Sequence, residues 1–294
     1  MMKIKIAAIF FTLFLSRYCN ATSNGDASYR YNIAICSIFQ NEARFLKEWI
    51  EFHQLVGVDH FYLYNNLSQD EYQSVLAPYI ENGTVELYDW PYKSHSKKTA
   101  AYQNCLKNAM TTVKWMAFID TDEYLLPVQE NTLSSVLEEF SDYGGLIVYS
   151  IPFGTSGVSK IPQDILMIEA LLLKGTYPES QSNQFKSIVR PRRVKQIETL
   201  SSIIYTPPYY AVNEEKEKYS SKQSTLSQPI KTIRINHYWT RDEDFFLNHK
   251  MKQRTRTKQT PQELLSWAMS SNAKFDTAIL RFCMPLRDCI FPEP

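Results

Sequence analysis

Two carboxylates separated by one residue follow an apolar segment near the middle of the chain. Asp120-Thr121-Asp122 comes directly after residues 115–119, a run typical of a buried strand. Alternation would place the two side chains on opposite faces, but both can turn toward one ligand where the backbone leaves the strand. Carboxylate oxygens bind hard cations such as Mn²⁺ or Mg²⁺, which can share them with a diphosphate. We therefore predict a metal site at Asp120 and Asp122; the alternative is that they only cap the following turn.

An alternation of strand-like and helix-like segments precedes this motif. Apolar runs predict strands at residues 33–39, 59–64, 84–88 and 115–119, and helical spacing predicts helices at residues 42–56, 69–80 and 97–112. Ser68 and Glu71 have the spacing of a capping box for the second helix. This order predicts an α/β fold with a mainly parallel sheet and flanking helices.

Polar residues follow three of the predicted strands. They are Gln40-Asn41-Glu42, Asn65-Asn66 and the segment 120–123. Ligands of parallel α/β sheets bind beyond the carboxyl ends of the strands, so these clusters are expected to converge on one site.

The composition limits the classes of function. With 44% hydrophobic residues and a formal net charge of +1, the chain is expected to be globular and to lack an electrostatic basis for binding nucleic acid. Beyond residue 145 the alternation fades: a strand is predicted at 146–153, short β segments at 154–245, a solvated loop at 213–222, and helix at 242–269. The last of these carries a basic stretch at 250–258.

The N-terminal segment has the order of a signal peptide. Lys3 and Lys5 precede an apolar run at residues 6–15, and small residues follow near Ala21. The run is shorter than the about 20 residues that span a bilayer, so removal of residues 1–22 is favoured over a permanent anchor. This predicts a secretory-pathway lumen or export, with membrane association if the segment is not cleaved. In such a compartment Cys283 and Cys289 are candidates for a disulfide, with free thiols as the alternative.

A set of ordered motifs resembles the family 92 glycosyltransferases. The motifs are residues 38–42 (IFQNE), 45–53 (FLKEWIEFH), 57–66 (GVDHFYLYNN), 101–105 (AYQNC), 115–124 (WMAFIDTDEY), 153–157 (FGTSG), 186–191 (KSIVRP) and 235–238 (INHY). The resemblance implies a GT-A fold with a smaller mixed β/α acceptor-side region. It also implies a divalent cation and inverting transfer of a hexose, often galactose, from a UDP-sugar to a glycan acceptor. We expect the domain at residues 31–260, followed by a C-terminal extension at 261–294.

The resemblance gives roles to three residues around the metal. Asp122 would bind the metal directly, and Asp120 would contact the donor ribose or the metal shell. His237 resembles the late histidine that completes the metal site in many GT-A enzymes. A structural histidine bonded to a backbone carbonyl is the alternative.

The resemblance also implies residues that hold the donor. Asn41, Glu42 and Asn65 lie where such folds bind the nucleoside, although each could instead cap a helix. Lys186 and Arg190 are candidates for contact with phosphate. The alternative is that they are exposed basic residues that bind no ligand.

An inverting transfer needs a carboxylate that deprotonates the acceptor hydroxyl. Glu169 is one candidate because the family has a glutamate in a similar setting, and Asp242 and Glu243 compete because they lie near His237. Each could equally be a surface carboxylate. The sequence departs from the family pattern at Val158, where a histidine is frequent, so the acceptor side is less defined than the donor side.

Two other functions compete with this hypothesis. Haloacid-dehalogenase phosphatases also carry two aspartates after a strand, but they place Thr or Val where Tyr124 stands. A sugar- or nucleotide-binding pseudoenzyme is the non-enzymatic alternative.

Overall fold

The computed structural model describes residues 28–91, 95–176, 185–199, 202–219, 229–254 and 260–292. The predicted signal peptide and residues 255–258 of the basic stretch lie outside them. Across these described segments, no helix combines the length and apolar character needed to cross a membrane.

The strands and helices of the described residues follow the predicted alternation in the first half of the chain. The strands are β1 (Tyr31–Phe39), β2 (His60–Asn65), β3 (Val85–Asp89), β4 (Val113–Phe118), β5 (Glu123–Pro127), β6 (Gly145–Pro152), β7 (Leu173–Lys174), β8 (Phe185–Val189), β9 (Val194–Thr199), β10 (Ser202–Tyr205), β11 (Ala211–Val212), β12 (Ile233–His237) and β13 (Lys274–Phe275). The α-helices are α1 (Ala43–Leu55), α2 (Tyr72–Glu81), α3 (His95–Ala109), α4 (Leu133–Glu138), α5 (Met167–Ala170), α6 (Glu243–Phe245), α7 (Met251–Arg254), α8 (Pro261–Ser270) and α9 (Cys283–Ile290). A π-helix, Phe246–Lys250, joins α6 to α7, and 3₁₀-helices lie at Pro191–Arg193 and Ala278–Phe282.

One large sheet organises the molecule. Its strand order is β3-β2-β1-β4-β8-β6-β12-β5, with β11 added beside β6. Strands β1 to β4 pair in parallel, as do β6 and β12, whereas β8 and β5 run antiparallel to their neighbours. The prediction of an α/β fold with a mainly parallel sheet is confirmed. Because β1 lies between β2 and β4, their carboxyl ends meet at one edge, where such sheets bind ligands.

Residues 33–39 of β1 are all buried and, apart from Ser37, apolar, because both faces of the strand are covered. Ile33 and Ile35 pack with Trp49 of α1 in one buried cluster, whereas Ala34 and Cys36 pack in a second cluster that includes residues of α3. A strand buried on both faces reads as a continuous apolar run rather than an alternating one.

The predicted capping box at Ser68 is wrong. Helix α2 begins after Glu71, which makes no side-chain capping hydrogen bond. The Ser68 hydroxyl instead accepts a hydrogen bond from the backbone N–H of Asn41, at 3.0 Å. The Ser68 hydroxyl therefore joins the β1–α1 and β2–α2 loops in a tertiary contact and does not cap helix α2.

The candidate disulfide between Cys283 and Cys289 does not form, and both thiols are free. The two residues lie on the same helix, α9, six positions apart. A helix rises about 9 Å over that distance, whereas disulfide geometry needs Cα atoms within about 7 Å.

The predicted solvated loop at 213–222 is corrected at its first residue. Asn213 is fully buried, and its side-chain oxygen accepts hydrogen bonds from the backbone N–H groups of Glu215 and Glu217. Residues 220–222 lie outside the described part of the chain.

The 3₁₀-helix Ala278–Phe282 and helix α9 pack onto α1, on the helical layer of the main sheet. The Lys47 ammonium of α1 donates to the backbone oxygen of Ile290 at 3.0 Å, and the rings of Phe52 and Phe282 meet edge to face. Strand β13 pairs with β7.

Candidate functional site

A tight turn between β4 and β5 presents the two aspartates. The backbone N–H of Asp120 donates to Oε2 of Glu123 at 2.8 Å, and the N–H of Glu123 donates back to the Asp120 carbonyl at 3.1 Å. The indole N–H of Trp49 donates to the Glu123 carbonyl at 2.8 Å. The turn is therefore fixed both by its own residues and by helix α1.

A buried histidine fixes the strand that follows the turn. His53 Nε2 accepts the backbone N–H of Leu125 at 3.1 Å, and its Nδ1 lies 2.7 Å from the Trp49 carbonyl. Burial lowers the pKa of His53 to about 3. The ring is thus neutral, with the proton on Nδ1 and a free lone pair for Leu125.

The two aspartates face a pocket of about 260 Å³ at the carboxyl edge of the sheet. We call it the edge pocket. Its lining residues include Gln40, Glu42, Asp120, Asp122, His237 and Lys250. The predicted site residues Glu42, Asp120, Asp122 and His237 therefore come together from three separate parts of the chain.

Both oxygens of Asp120 accept hydrogen bonds from lysines. Lys98 Nζ lies 2.6 Å from Oδ1, and Lys186 Nζ lies 2.6 Å from Oδ2 and 3.0 Å from Oε2 of Glu123. Burial alone would raise the pKa of Asp120, but the ammonium groups of Lys186 and Lys98 outweigh it and hold the pKa below its usual range. Asp120 is therefore an ionised anchor for two lysines.

Asp122 is shared between a histidine and a third lysine. His237 Nε2 lies 3.4 Å from Oδ1, and Lys250 Nζ lies 2.8 Å from Oδ2. The pairing of β5 with β12 places Glu123 opposite His237, and this sets the approach of the imidazole. Burial opposes the charge of Asp122, but Lys250 and His237 hold its pKa well below the usual range.

Glu42 forms ion pairs with two cationic residues, Lys250 and Arg241. Its Oε1 lies 3.2 Å from Lys250 Nζ, and its Oε2 lies 3.0 Å from Nη2 of Arg241. The fully buried Arg241 also donates to the Thr121 carbonyl at 2.8 Å. This network holds the β1–α1 loop, the aspartate turn and the π-helix in one arrangement.

The distance between Asp122 and His237 is compatible with a shared divalent cation. With 3.4 Å between Oδ1 and Nε2, one point can lie at the metal–ligand distance of about 2.1 Å from both atoms. Asp120 is placed differently, because lysines occupy both of its oxygens. Within the described ranges, no group of three or more His, Cys, Asp or Glu residues could hold a metal ion. The remaining ligands of a cation at Asp122 would therefore be water or oxygens of a bound substrate.

Two predicted donor-binding residues lie outside the edge pocket. Asn65 donates to Tyr72 Oη and to Oδ1 of Asp89, both at 3.0 Å, and its side-chain oxygen accepts the N–H of Ser68. Asn41 has a left-handed backbone, with φ of 57°, and its side-chain oxygen accepts the N–H of Gln69. Both side chains hold loops at the strand ends.

None of the three candidate bases, Glu169, Asp242 and Glu243, lines the edge pocket. Glu169 pairs with Nη1 of Arg287 at 2.8 Å and accepts the N–H of Leu166. Asp242 is fully buried, accepts the N–H groups of Ile161 and Phe245 at 2.9 Å, and pairs with Arg44.

Lys186 lies beside the edge pocket, but Arg190 does not line it. Arg190 donates to the Ser141 carbonyl at 2.6 Å and stacks over the ring of Trp115. Its guanidinium therefore holds the backbone near residue 141.

A second cavity of about 700 Å³ lies on the other side of the β1–α1 loop; we call it the outer pocket. Its lining residues include Asn41, Arg44, Asp70, Asp244, Phe245 and His249. The rings of Phe245 and His249 stack at 4.7 Å with an interplanar angle of 18°. Gln40 and Glu42 line the edge pocket, whereas Asn41, Ala43 and Arg44 line the outer pocket. In the π-helix, Lys250 lines the edge pocket and the adjacent His249 lines the outer pocket.

Three cationic site residues were not identified from the sequence. Lys98 and Arg241 carry no local signal, because the groups they contact lie far away in the chain. Lys250 did have a local signal in the sequence. It follows the buried Phe246 by four residues and so falls on the apolar face of its helix. A lysine at such a position needs a buried anionic partner.

The chain is similar in sequence to a known protein family and to several known proteins. The family model of glycosyltransferase family 92 matches residues 29–272. A glycosyltransferase family 92 protein of Ricinus communis is 28% identical over 221 residues, which make up 71% of this chain and 35% of the relative. A galactan beta-1,4-galactosyltransferase of Arabidopsis thaliana is 33% identical over 121 residues, 37% of this chain and 23% of that protein.

Among solved structures, S. aureus TarS 1-349 in complex with UDP-GlcNAc aligns with a TM-score of 0.36 and 11% identity, over 67% of this chain and 62% of that one. The chain spans about a third of the length of the Ricinus relative. Since the family match covers most of its residues, the chain belongs to glycosyltransferase family 92.

Proposed function

We propose that the protein transfers a hexose from a UDP-sugar to a glycan hydroxyl with inversion, using Mn²⁺ or Mg²⁺ held by Asp122 and His237. The observation that carries this proposal is the edge pocket itself. It joins an ionised aspartate and a histidine at 3.4 Å with the Lys250 ammonium, and two further lysine ammonium groups pair with Asp120 beside it. That combination suits a ligand that carries both a diphosphate and a cation.

The charges of the edge pocket favour a diphosphate. Lys250 lines the edge pocket, and Lys98 and Lys186 pair with Asp120 beside it, so an incoming anion meets positive groups within reach. Gln40 and Phe39 line the part of the pocket at the end of β1, which we assign to the nucleoside. Transfer of galactose is supported by the galactosyltransferase among the relatives.

The chemistry follows from where negative charge develops. As the bond between sugar and diphosphate breaks, charge grows on the leaving phosphate oxygen, and fixed positive groups stabilise it without reorganisation. When bound, the cation supplies Lewis-acid neutralisation of that charge. Asp120 keeps Lys98 and Lys186 at fixed positions beside it, and Arg241 keeps the aspartate turn in register.

We assign the glycan acceptor to the outer pocket. The stacked rings of Phe245 and His249 give an aromatic platform, and the exposed Asp244 carboxylate gives acceptors for sugar hydroxyls. Glu169 and Asp242 line neither pocket, so in this proposal both stabilise the scaffold. The proton of the acceptor hydroxyl then passes to the exposed carboxylate of Asp244, which lines the outer pocket. Together with the predicted leader, the proposed reaction places the enzyme in a secretory lumen or outside the cell.

A thermal-shift panel tests the donor proposal. The purified protein is heated with Mn²⁺ and with UDP-, GDP- or CDP-sugars. A sugar present at about 100 times its dissociation constant stabilises the fold by about 2.7 kcal/mol, a shift of several degrees. We expect UDP-hexoses to give the shift and to be hydrolysed slowly to UDP. Stabilisation without turnover would instead support the sugar-binding pseudoenzyme, and no response to any nucleotide sugar would contradict the proposal.

A further inference from the structure

Lys250 is a buried cation in an unusual position. Its side chain is 10% exposed, and its ammonium bridges Asp122 Oδ2 at 2.8 Å and Glu42 Oε1 at 3.2 Å. Removing an ammonium group from water is costly unless anionic partners compensate. The two carboxylates supply that compensation, so Lys250 neutralises the edge pocket from within.

The ammonium and a divalent cation need the same carboxylate. Oδ2 of Asp122 contacts Lys250, while Oδ1 faces His237, where a cation fits. The two oxygens of one carboxylate are only about 2.2 Å apart, so both positive charges would lie within a few ångströms of each other. Repulsion at that range weakens cation binding while the lysine stays in place.

A diphosphate removes this conflict. It brings negative charge into the edge pocket and gives the ammonium a new partner within reach of its four-carbon side chain. Asp122 is then left to the cation. Lys250 is the last residue of the π-helix Phe246–Lys250, and such wide turns are rare and frequent at functional sites. Helix α7 continues directly from it, so a local change of helical winding can move the lysine.

We propose that Lys250 binds the diphosphate of the donor and couples it to the divalent cation. In the free protein the ammonium neutralises Asp122 and Glu42. When the nucleotide and the cation bind, the Lys250 ammonium leaves the two carboxylates and binds the diphosphate oxygens. This inference rests on the proposed function, because it needs a nucleoside diphosphate in the edge pocket. By linkage, each ligand then raises the affinity of the protein for the other.

Binding measurements on Lys250→Met test the coupling. Free Mn²⁺ is followed by electron paramagnetic resonance, and UDP binding is followed by calorimetry, each with and without the other ligand. Without UDP, the variant should bind Mn²⁺ about tenfold more tightly than wild type, because the competing ammonium is gone. Without Mn²⁺, it should bind UDP about tenfold more weakly. These opposite changes would not follow from general damage to the site.

Two controls define the charge effect. Lys250→Arg keeps the positive charge and should keep the wild-type Mn²⁺ affinity within about threefold. Lys252→Met removes an exposed lysine two residues away and should change neither affinity. If circular dichroism shows that Lys250→Met is unfolded, Lys250→Gln replaces it, because its amide can still donate to Asp122.

The outcomes separate the two proposals. If wild type binds UDP and Mn²⁺ but neutral substitution at Lys250 changes neither affinity, or weakens both, the coupling role is overturned and the proposed function stands. If wild type binds no UDP at all, the proposed function falls and this inference falls with it.

Discussion

Acid should destabilise the protein through one histidine that supports the aspartate turn. His53 is fully buried and uses Nε2 to accept the N–H of Leu125 in β5. A proton on Nε2 would break this bond and place a charge in the core. We therefore expect the unfolding free energy to fall as pH falls, and His53→Gln to remove that part of the dependence.

The size of the effect follows from the two pKa values. Burial lowers the pKa of His53 from 6.5 to about 3. Because the folded pKa is the lower one, the unfolded chain binds more protons, and stability is lost as pH falls below 6.5 toward 3. At about pH 5 this linkage removes about 2 kcal/mol relative to about pH 8. For a chain of this size that corresponds to about 4–8 °C in Tm.

The assay is thermal and denaturant unfolding of wild type and His53→Gln between about pH 5 and pH 8. Glu48, whose pKa burial raises to about 7, titrates in the same range. It is present in both proteins, so the difference between their pH dependences isolates His53. His249→Gln changes an exposed histidine and should keep the wild-type dependence. If His53→Gln and wild type lose equal stability between the two pH values, the assignment of a buried neutral ring to His53 is refuted.

Three further substitutions test the structural roles assigned above. Asp242→Ala should lower the unfolding free energy by about 3 kcal/mol, because a helix cap and a buried backbone N–H lose their acceptor. Urea unfolding measures this loss, and a loss under about 1 kcal/mol would contradict the structural role of Asp242. Glu169→Gln should keep kcat within about threefold, since its carboxylate pairs with Arg287; a loss of about a hundredfold would restore it as the base. Gly154→Ala should lower Tm by several degrees, because the added Cβ would lie 2.1 Å from Oδ1 of Asn272; an unchanged Tm would show that Asn272 moves freely.

The first half of the fold was predictable because its signals are local. Strand β1 is largely apolar on both faces, and helix α1 shows buried residues at helical spacing. The local sequence of each segment therefore predicts its secondary structure. The position of Asp120 and Asp122 at a strand end followed from the same patterns. The capping box at Ser68 failed because its hydroxyl bonds a different loop, which no local pattern records.

The charge balance of the site was not predictable from local patterns. Lys250 meets Asp122 across 128 positions, and the contact exists because β12 pairs with β5 and the π-helix returns over the sheet edge. Likewise, Asn65 has the residue type and place of a ligand-binding side chain, but Tyr72 and Asp89 use its amide in the structure. Residue type and strand-end position therefore predicted several of the residues that meet at the edge pocket, while long-range pairing decided which side chains remain open to a ligand.

Turnover of UDP-galactose tests the central claim, a nucleotide-sugar site centred on Asp122. Release of UDP is measured with Mn²⁺ for wild type, Asp122→Asn and the exposed-site control Asp142→Asn. We predict that wild type and Asp142→Asn release UDP at similar rates and that Asp122→Asn loses activity by about a hundredfold or more. Equal turnover by wild type and Asp122→Asn would contradict the account.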